Sequence, residues 1–562
     1  MAPLLAGVTR TARQVTITVL QGENPVRPFE ISEETREKLS DLTHAKPGFW
    51  ESVSGKADIG VARLFEDIAV ADELGAVPSL GNFLSDKKPV SVAAKAAIRQ
   101  IMSGRSPDEL SRLDEICRQF STYSSSYWPW AQIKPSQLSR IAAQDDVLIL
   151  GLLSFHPSGW VRSESINRLN RLSGGVELDY LIIRANDWVD PVRNLAWKAI
   201  CRRLNPDYAE AFARNMGIIV SLEAKTRTSM DGLLADIYDF LLSNPVVLNS
   251  AIGHENFRIR RGAFQTAYRL DEGRRAKFIR LALRDSDSLI RLTAAKQAAV
   301  LADVSLRNQF MQMMLSDRWH AVRSQALHMV VSDSGDATKG ILLGLLLDRS
   351  RTVRSAARYY LRRLGIEDFR SIYIDALAGE QKDVAILGLG ECGISDDAKA
   401  IESYLESSNP KILSAAVNAT SRLLPNNSDS ILLDNLAHLH KAPSNAAARQ
   451  LRERVTPQTQ PRLVQIFEDA SLPFHARFNA LKLLGATGKW DTLIFWLRGS
   501  EDREPKIAEY CERGLERWQH AFNRSFTEPS GSQIQEIREL MAQPSFARKS
   551  IAQFLSNVMR SY

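Results

Sequence analysis

Regularly placed cations and carboxylates are the residues of this 562-residue chain that could bind or react. Between Arg258 and Arg363 the sequence has 21 Lys and Arg against nine Asp and Glu. Such an excess attracts polyanions, and each phosphate that it neutralises adds salt-dependent affinity. The block therefore predicts a partner that is either an acidic protein surface or a nucleic acid. The candidate binding residues are Arg258, Arg274, Arg275, Lys277, Arg351, Arg358 and Arg362.

Two groups stand out within this basic block. Arg351, Arg354, Arg358 and Arg362 are spaced three, four and four residues apart, which predicts a basic stripe along one helix. The second group, Arg274, Arg275 and Lys277, clusters in a predicted turn region.

Residue sets for covalent or metal chemistry are not apparent in the sequence. His438 and His440 lie two apart on a predicted helix, about 200° around its axis, so they do not readily share an ion. Gly388-Leu-Gly390 follows no predicted strand and is therefore not a dinucleotide fingerprint. No elbow or paired motif singles out a Ser, His and Asp. The sequence thus predicts no catalytic residue, no metal and no cofactor, and a chain that is not an enzyme.

An internal repeat defines the elements that position these residues. Val-Arg or Ile-Arg pairs recur, and the successive spacings are 31, 32 and 31 residues from Arg260 through Arg291, Arg323 and Arg354. The same phase, extended in both directions, gives twelve units between positions 162 and 508, one of them a degenerate unit near Arg227. A period of about 31 residues is typical of stacked helical hairpins.

Each unit also has the apolar period of a helix. Counted from the Arg, apolar or small residues recur at −1, +3, +7 and often +10, as in Val353, Ala357, Leu361 and Leu364. Steps of four, four and three keep one helix face apolar. A second apolar stretch precedes each such helix across a short polar turn. Each period therefore predicts a helical hairpin, and the small residue at +3 allows neighbouring helices to pack closely.

The segments Asp285 to Ala294, Asp317 to Ala326 and Asp348 to Ala357 resemble HEAT repeats, with a turn Asp six residues before the Arg and an Ala three residues after it. The resemblance covers roughly residues 136 to 520 and weakens beyond 380. It implies an all-α fold: a right-handed α-solenoid of about twelve or more HEAT-like helical hairpins, whose concave surface holds another macromolecule. The repeat signature residues are Asp187, Arg193, Asp285, Arg291, Asp317, Arg323, Asp348 and Arg354.

The resemblance leaves several roles open. The signature arginines either meet the turn Asp of their own or the next repeat, as a structural ladder, or contribute to the binding of a polyanion. HEAT-type folds include a di-iron hydroxylase family with repeated His-Glu pairs, but this chain has one such pair, His254-Glu255. Some bacterial HEAT-like proteins are alkylpurine DNA glycosylases with Trp and a catalytic Asp. Asp187-Trp188 resembles that arrangement only superficially, because both residues occupy a repeat turn.

Both ends depart from the repeat phase, as the terminal units of an array must. We predict four regions: an atypical capping region over 1–85, a leading helix pair and aromatic linker over 86–135, the repeats over 136–520 and a helical cap over 521–562. The leading pair is predicted at Val90 to Met102 and Asp108 to Phe120, and the closing helices at Ile534 to Met541 and Ser550 to Met559. The linker from Tyr123 to Trp130 is either a binding loop or a plug between the cap and the first repeat.

The longest apolar run, Ile341 to Leu347, is seven residues, far below the roughly 18 that a membrane span needs, so no membrane partner is predicted. The four cysteines form no CxxC pair and are predicted to be small buried hydrophobes of a cytoplasmic protein. The sequence thus predicts a non-enzymatic scaffold that binds a protein partner, of acidic character, on its concave face. Binding of nucleic acid through residues 258–363 is the alternative, and a DNA glycosylase is a remote third.

Overall fold

A computed structural model describes residues 31–44, 56–123, 129–142, 146–223, 231–332, 337–549 and 551–562. The described residues form helices, turns and bends, and no strand occurs among them. The predicted all-helical class is therefore confirmed for this part of the chain. The degenerate unit near Arg227 and most of the aromatic linker lie outside the described residues.

The chain divides into two compact units, residues 1–310 and 311–562, and the division falls within one helix. The helices of the first unit, up to and including that shared helix, are α1 Glu33–His44, α2 Lys56–Ala71, α3 Val77–Leu80, α4 Val90–Met102, α5 Pro107–Tyr123, α6 Leu138–Ile141, α7 Val147–Leu153, α8 Gly159–Leu169, α9 Glu177–Arg184, α10 Asp190–Cys201, α11 Ala209–Arg214, α12 Met216–Glu223, α13 Asp231–Leu242, α14 Pro245–Ile252, α15 Phe257–Ala267, α16 Glu272–Ala282, α17 Ser288–Ala299 and α18 Val304–Leu315.

The remaining helices belong to the second unit: α19 His320–Ser332, α20 Ala337–Leu345, α21 Arg351–Arg363, α22 Phe369–Ala376, α23 Lys382–Cys392, α24 Ala398–Ile401, α25 Pro410–Leu423, α26 Asp429–Leu436, α27 Lys441–Leu451, α28 Gln460–Glu468, α29 Phe474–Leu484, α30 Lys489–Gly499, α31 Pro505–Ala521, α32 Gly531–Met541 and α33 Ala552–Met559. Short 3₁₀ helices occur at Leu74–Ala76, Gly81–Phe83, Trp130–Gln132, Pro135–Gln137, Pro206–Tyr208, Ser395–Asp397, Glu402–Glu406, Phe522–Arg524 and Phe546–Arg548.

The helices of the second unit pair as hairpins in two layers. The first helices α20, α22, α26, α28 and α30 each pack on the helix that follows them in the chain. The second helices also pack on one another, α19 on α21, α23 on α25, α25 on α27 and α27 on α29. In the first unit the pairs α7–α8, α9–α10, α14–α15 and α16–α17 have the same hairpin form. Each predicted Val-Arg or Ile-Arg pair thus lies near the start of a second helix.

Small residues at the +3 position allow the helices to approach closely. Ala263, Ala294, Ala326 and Ala357 are each fully buried. At Gly388, which has the same place in α23, an added Cβ would lie 2.1 Å from the ring of Tyr373. The glycines of α23 are therefore packing residues, as the repeat pattern indicates, and the helix accommodates a bulky side chain from its own first helix.

In hairpins that have a turn Asp, this residue accepts a hydrogen bond at the start of the second helix. In four turns the Oδ1 atom of the Asp accepts from the backbone N–H two residues later: Asp187 at 3.0 Å, and Asp285, Asp317 and Asp348 at 2.7 Å. This is an Asx-type turn, which satisfies a backbone donor that the helix start leaves unpaired. The signature Asp is therefore a structural residue of the turn.

Histidine replaces the turn Asp in three hairpins. The Nδ1 atoms of His156, His254 and His438 accept from the N–H two residues later at 3.0, 2.9 and 2.9 Å. His438 and His440 therefore lie in a turn and at a helix N-cap, so the sequence-based placement of both on a helix is wrong. In these turns the imidazole nitrogen accepts the hydrogen bond that an Asp oxygen accepts in an Asx turn. The apolar pattern of the flanking helices does not predict such a turn.

The regions before and after the repeats pack on the repeats nearest to them. Trp130 is 1% exposed; its backbone N–H donates to Asn82 Oδ1 at 3.0 Å and its carbonyl accepts from His156 Nε2 at 2.7 Å. This ring packs as a plug, whereas residues 124–128 of the aromatic linker lie outside the described residues. At the other end, Trp490 and Trp518 form a core cluster with Ile537 and Leu555 of the closing helices.

Within the part of the chain that the structure describes, no helix is long and apolar enough to cross a membrane. All four cysteines are free thiols; Cys117 and Cys511 are buried as predicted, whereas Cys392 is half-buried and Cys201, at the end of α10, is exposed.

Candidate functional site: the basic second-helix face

Several repeat arginines pair with the turn Asp of the next repeat, and we call these pairs the ladder; Arg193 instead pairs with Asp190 of its own turn. Arg162 donates from Nε and Nη2 to both carboxylate oxygens of Asp187, each at 3.0 Å, and Arg323 contacts Asp348 in the same way at 2.6 Å. Each pair is separated by 25 residues, so the arginine of one hairpin binds the turn Asp of the next. A bidentate, charge-assisted pair of this kind fixes both the spacing and the orientation of neighbouring turns.

Further contacts complete the ladder. The Nη1 atoms of Arg162, Arg260 and Arg323 each donate to the carbonyl oxygen of the residue six positions earlier, as Arg323 does to Asp317 at 2.7 Å. Arg260 and Asp285 repeat the bidentate pair at 2.9 Å, and Arg477 pairs with Asp502. The last of these pairs lies beyond residue 380, where the resemblance of the sequence to the repeats weakens, and Asp502 is not among the predicted signature residues.

Burial strengthens the pair of Arg162 and Asp187. Desolvation raises the pKa of Asp187, but Arg184 and Arg162 outweigh it and hold the pKa below its usual range. Arg184 is completely buried beside Asp187 and also pairs with Asp114 of α5. The first described repeats are therefore tied to the leading helix pair by charges that water does not reach.

The ladder changes at the repeat after Asp348. The residue 25 positions after Arg354 is Gly379, which has no carboxylate. Arg354 turns instead to Glu391, 37 residues ahead near the end of α23. Arg358 donates to the same carboxylate at 2.8 Å, and Arg422 of α25 lies 3.7 Å from it. Sequence periodicity could not single out Glu391, because it is not at the repeat position.

The candidate binding residues of the first unit do not share one helix layer. Arg258 is half-buried on the second helix α15, 3.8 Å from Asp108. The other three lie on the first helix α16, where Arg274 pairs with Asp271, and Arg275 approaches Glu272 at 4.0 Å. Their charges are therefore partly neutralised on their own turn, and the structure does not collect them with Arg258 into a patch.

In the second unit the predicted arginine stripe of α21 divides into two sides. Arg351 and Arg362 are exposed, whereas Arg354 and Arg358 are 2% and 6% exposed. The Arg358 guanidinium also donates to Tyr373 Oη at 2.9 Å. Arg358 is consequently an internal residue rather than part of an exposed stripe, because an offset of four residues from Arg354 places it on the same buried face.

Charge is divided between the two layers of the second unit. The second helices α21, α23, α25, α27, α29 and α31 carry 15 Lys and Arg against five Asp and Glu. The first helices α20, α22, α24, α26, α28 and α30, with the 3₁₀ segment Glu402–Glu406, carry six against seven. The excess of cations therefore lies on one side of the hairpins. We call this surface the basic second-helix face.

The exposed positions of this face continue from helix to helix. Three lysines are exposed on successive second helices: Lys411 on α25, Lys441 on α27 and Lys482 on α29. Burial lowers the pKa of Lys482, and the charge of Lys441 on the neighbouring helix lowers it further. Amide contacts link the same helices, since Gln450 donates to Asn418 Oδ1 at 2.8 Å. These lysines are not among the predicted binding residues, because the basic block of the sequence ends at Arg363.

Aromatic side chains accompany the cations. Tyr359 of α21 is 56% exposed and Phe474 of α29 is 37% exposed. Phe478 stacks on Phe474 with ring centroids 5.1 Å apart, and Lys482 Nζ lies 4.1 Å from the Phe478 centroid. Rings beside cations are typical of binding surfaces, because a ring supplies contact area and a polar edge or face.

The histidines, cysteines and carboxylates form no metal-ligand group of three or more within the described ranges. One open cleft of about 380 Å³ lies at the turns of the second unit, lined by Leu315, Asp317, Asp348, Arg349, Gln381 and Val384. It occurs where the ladder changes partner, and its Arg349 donates to the carbonyl of Arg318 at 2.9 Å.

The hairpins, the buried small residues and the Arg–Asp pairs define an all-helical repeat fold, and these features resemble those of HEAT-type repeats. No family model and no curated protein matches the chain. Similar solved structures include the karyopherin Kap121p bound to the extreme C-terminus of the protein phosphatase Cdc14p, with 11% identity, a TM-score of 0.32, and coverage of 94% of this chain and 68% of that one. A C-terminal fragment of the Chaetomium thermophilum cohesin loader SCC2 has 13% identity, a TM-score of 0.35, and coverage of 85% and 43%. Importin beta has 12% identity, a TM-score of 0.28, and coverage of 92% and 75%. This chain thus spans less than half the SCC2 fragment.

Proposed function

We propose that the chain is a non-enzymatic interaction scaffold that binds an acidic protein segment along the basic second-helix face. The observation that carries the proposal is the division of charge between layers: 15 cations against five acids on the second helices, and six against seven on the first. A fold alone would not require this division, since both layers have solvent-facing sides. The proposal includes the sequence-based expectation that the second helices line the concave side.

The dimensions of the face suit an extended segment. Neighbouring helices pack about 8–10 Å apart, so six second helices extend over roughly 50 Å. An extended chain advances about 3.3 Å per residue, and roughly 15 residues would follow that length. Exposed Tyr359 and Phe474 supply apolar contacts at two places along it. A protein segment uses both kinds of contact, cation and ring.

Nucleic acid is the second candidate, and the same cations support it. Its backbone would lose affinity steeply with added salt, because each neutralised phosphate releases counterions. The cations are unevenly placed, however: α21 has five and no acid, whereas α31 has three of each sign. A protein segment with a local acidic cluster fits this distribution better than an evenly charged polymer does.

Matched charge reversals test the proposal. One variant combines Arg362→Glu, Lys411→Glu and Arg449→Glu on the second helices; the control combines Lys339→Glu, Lys399→Glu and Arg462→Glu on the first helices. Both change the net charge equally, and all six side chains are exposed. The probe is a fluorescent peptide of about 15 residues, rich in Glu with two Leu, measured by anisotropy across a salt series.

We expect the second-helix variant to lose at least about tenfold in affinity and the first-helix control to lose less than about threefold. Equal losses in both variants, or no binding of the peptide by the unaltered protein, would contradict the proposal. A single-stranded DNA of the same charge that binds more tightly than the peptide, and that the second-helix variant alone fails to bind, would favour the nucleic-acid alternative.

A further inference from the structure

Three aromatic rings from two second helices, α29 and α31, contact one another on the basic second-helix face. Phe478 stacks on Phe474 with ring centroids 5.1 Å apart, and Tyr510 meets Phe478 edge to face with centroids 5.0 Å apart. Phe474 is 37% exposed, and the other two rings are partly exposed. We call these three residues the aromatic cluster. Direct ring contacts hold the cluster together, and one of its rings is open to solvent.

Each ring of the aromatic cluster has a cation over it. The cation–ring distances are 4.1 Å from Lys482 Nζ to the centroid of Phe478, 5.9 Å from Lys506 Nζ to that of Phe474, and 5.9 Å from Arg517 Cζ to that of Tyr510. All three cations are exposed. These distances lie within the range of about 6 Å in which the negative face of a ring attracts a positive charge. The surface is therefore apolar at its centre and positively charged around it.

The three cations are available to a partner. Among the residues that the structure describes, no Asp or Glu forms an ion pair with Lys482, Lys506 or Arg517. Several acids near them pair with other cations: Asp502 with Arg477, Glu509 with Arg513, and Glu512 with Lys549. Carboxylates of a bound partner would supply the missing counter-charge.

We infer that the aromatic cluster is the anchor site for the acidic partner segment and binds one aromatic side chain of that segment, with a carboxylate two or three residues away from it. The inference rests on the proposed function and names the side chain that this part of the face recognises. A partner ring that packs on the exposed Phe474 gains apolar contact, and its negative face lies among the same cations. An aliphatic side chain gains the apolar contact alone.

The spacing of the helices sets the distance between the aromatic residue and the carboxylate. Two or three residues of extended chain advance about 7–10 Å, and neighbouring helices pack about 8–10 Å apart. A segment whose ring packs on Phe474 of α29 therefore brings a carboxylate over α31, which carries Lys506 and Arg517. The arrangement predicts a short motif within the acidic segment.

The number of open rings favours a protein segment over a nucleic acid. A single-stranded nucleic acid also binds through cations and aromatic rings, but it stacks successive bases on successive ring faces. In the aromatic cluster, Phe478 has Phe474 stacked on it and Lys482 over it. Phe474 is the most exposed of the three rings. One open ring suits one side chain rather than a row of bases.

Three peptides of about 15 residues test the anchor site: a Glu-rich probe with one central Phe, and the same probe with Leu or Ala in its place. For the unaltered protein we expect the Phe peptide to bind about tenfold more tightly than the Ala peptide and about threefold more tightly than the Leu peptide, measured by fluorescence anisotropy. Phe474→Ala should abolish this preference. The matched control is Tyr359→Ala, which removes the exposed ring of α21 and should keep the preference.

A second pair of variants tests the carboxylate contact. Lys506→Gln should weaken the Phe peptide about threefold to fivefold, and should have little effect on a Phe peptide whose Glu residues within three positions of the Phe are replaced by Gln. Arg513→Gln on the same helix is the control, because Arg513 already pairs with Glu509 at 3.5 Å, and it should affect the two peptides alike. Lys506 is exposed, so its variant remains a test if Phe474→Ala impairs folding.

Equal binding of the Phe, Leu and Ala peptides by the unaltered protein would overturn the anchor site and leave the proposed function intact. Failure of all three peptides to bind would overturn both. A preference for Phe that Tyr359→Ala abolishes and Phe474→Ala keeps would also contradict the inference. A single-stranded DNA of the same charge that binds more tightly than the Phe peptide, and loses affinity with Phe474→Ala, would overturn the assignment to a protein segment.

Discussion

Arg354 forms its ion pair with Glu391, 37 residues ahead, whereas Arg323 on the preceding second helix pairs with Asp348 after 25. The two arginines have the same place in their repeats, and each donates Nη1 to the carbonyl of its own turn Asp at 2.7 Å. Only the acceptor differs, because Gly379 replaces the next turn Asp. The contact of Arg354 therefore lies with a buried carboxylate of the second helix α23 rather than with a turn residue.

The ladder pair should be a major source of stability. Asp348→Asn keeps an oxygen for the backbone N–H of Ser350 but leaves the buried Arg323 without a counter-charge. We expect a loss of about 3 kcal/mol in the free energy of unfolding, measured by urea titration. The matched control is Asp375→Asn, an exposed carboxylate of α22, which should change stability by less than about 0.5 kcal/mol. Similar effects from both variants would contradict the structural role of the ladder.

The +3 position of α21 should not tolerate a larger side chain. Ala357 is fully buried between helices, so Ala357→Leu should overpack the contact and cost about 1–3 kcal/mol. Ser355→Leu adds the same side chain at an exposed position of the same helix and should cost little. Thermal unfolding of the two variants compares them directly. A larger loss from Ser355→Leu would mean that α21 faces the other way.

Gly388 should be more sensitive still. A methyl group there would lie 2.1 to 2.5 Å from atoms of the Tyr373 ring, so Gly388→Ala should cost about 3 kcal/mol. Gly340 in α20 has no atom within 4 Å of the same added methyl, and Gly340→Ala should stabilise the helix by about 0.5–1 kcal/mol. Opposite signs for one substitution type are the expected result; two losses of equal size would be evidence against the close approach of α22 and α23.

His156 should make stability depend on pH. Burial lowers its pKa in the folded protein to about 4, from 6.5, although the hydrogen bond to the Trp130 carbonyl acts in the opposite direction. The unfolded chain therefore binds the proton first. The contribution of His156 to the free energy of unfolding is complete above about pH 6.5 and decreases as the pH falls towards 4. About 2 kcal/mol is lost between pH 8 and pH 5.

Urea titrations at these two pH values measure the loss, with His156→Asn as the comparison. Asn can accept the turn hydrogen bond from Ser158 but does not titrate, so the variant should lose about 2 kcal/mol less than the unaltered protein over the same range. An identical pH dependence in both proteins would show that His156 is not the titrating group.

The sequence contains the repeat but not all of its contacts. The interval of about 31 residues and the apolar period predict the second helices, because both follow from helix geometry and from the need of each hairpin to cover its neighbours. Asp348 could be recognised as a turn residue for the same reason. The spacing of residues along a helix does not predict which side chains are exposed. Arg358 and Arg362 are four residues apart on one helix, yet Arg358 is buried and Arg362 is exposed.

The candidate site was harder to predict than the fold. The count of charges along the chain favoured residues 258–363, but the relevant division is between layers, and it becomes visible only once first and second helices are distinguished. Glu391 and Arg422 are brought to Arg354 by tertiary packing of three second helices. No spacing rule connects residues 37 and 68 positions away, because their approach depends on how α23 and α25 lie against α21.

The regular part of the Arg–Asp ladder also bears on how such an array can change in length. Where each arginine takes the turn Asp of the unit after it, as Arg162 and Arg323 do, gene duplication or loss of one whole unit restores an equivalent partner at the new junction. Between α21 and α25 this interchange fails, since Arg354 depends on a carboxylate that is particular to α23. Units on either side could be gained or lost by recombination, while the three helices around Glu391 would have to be inherited together.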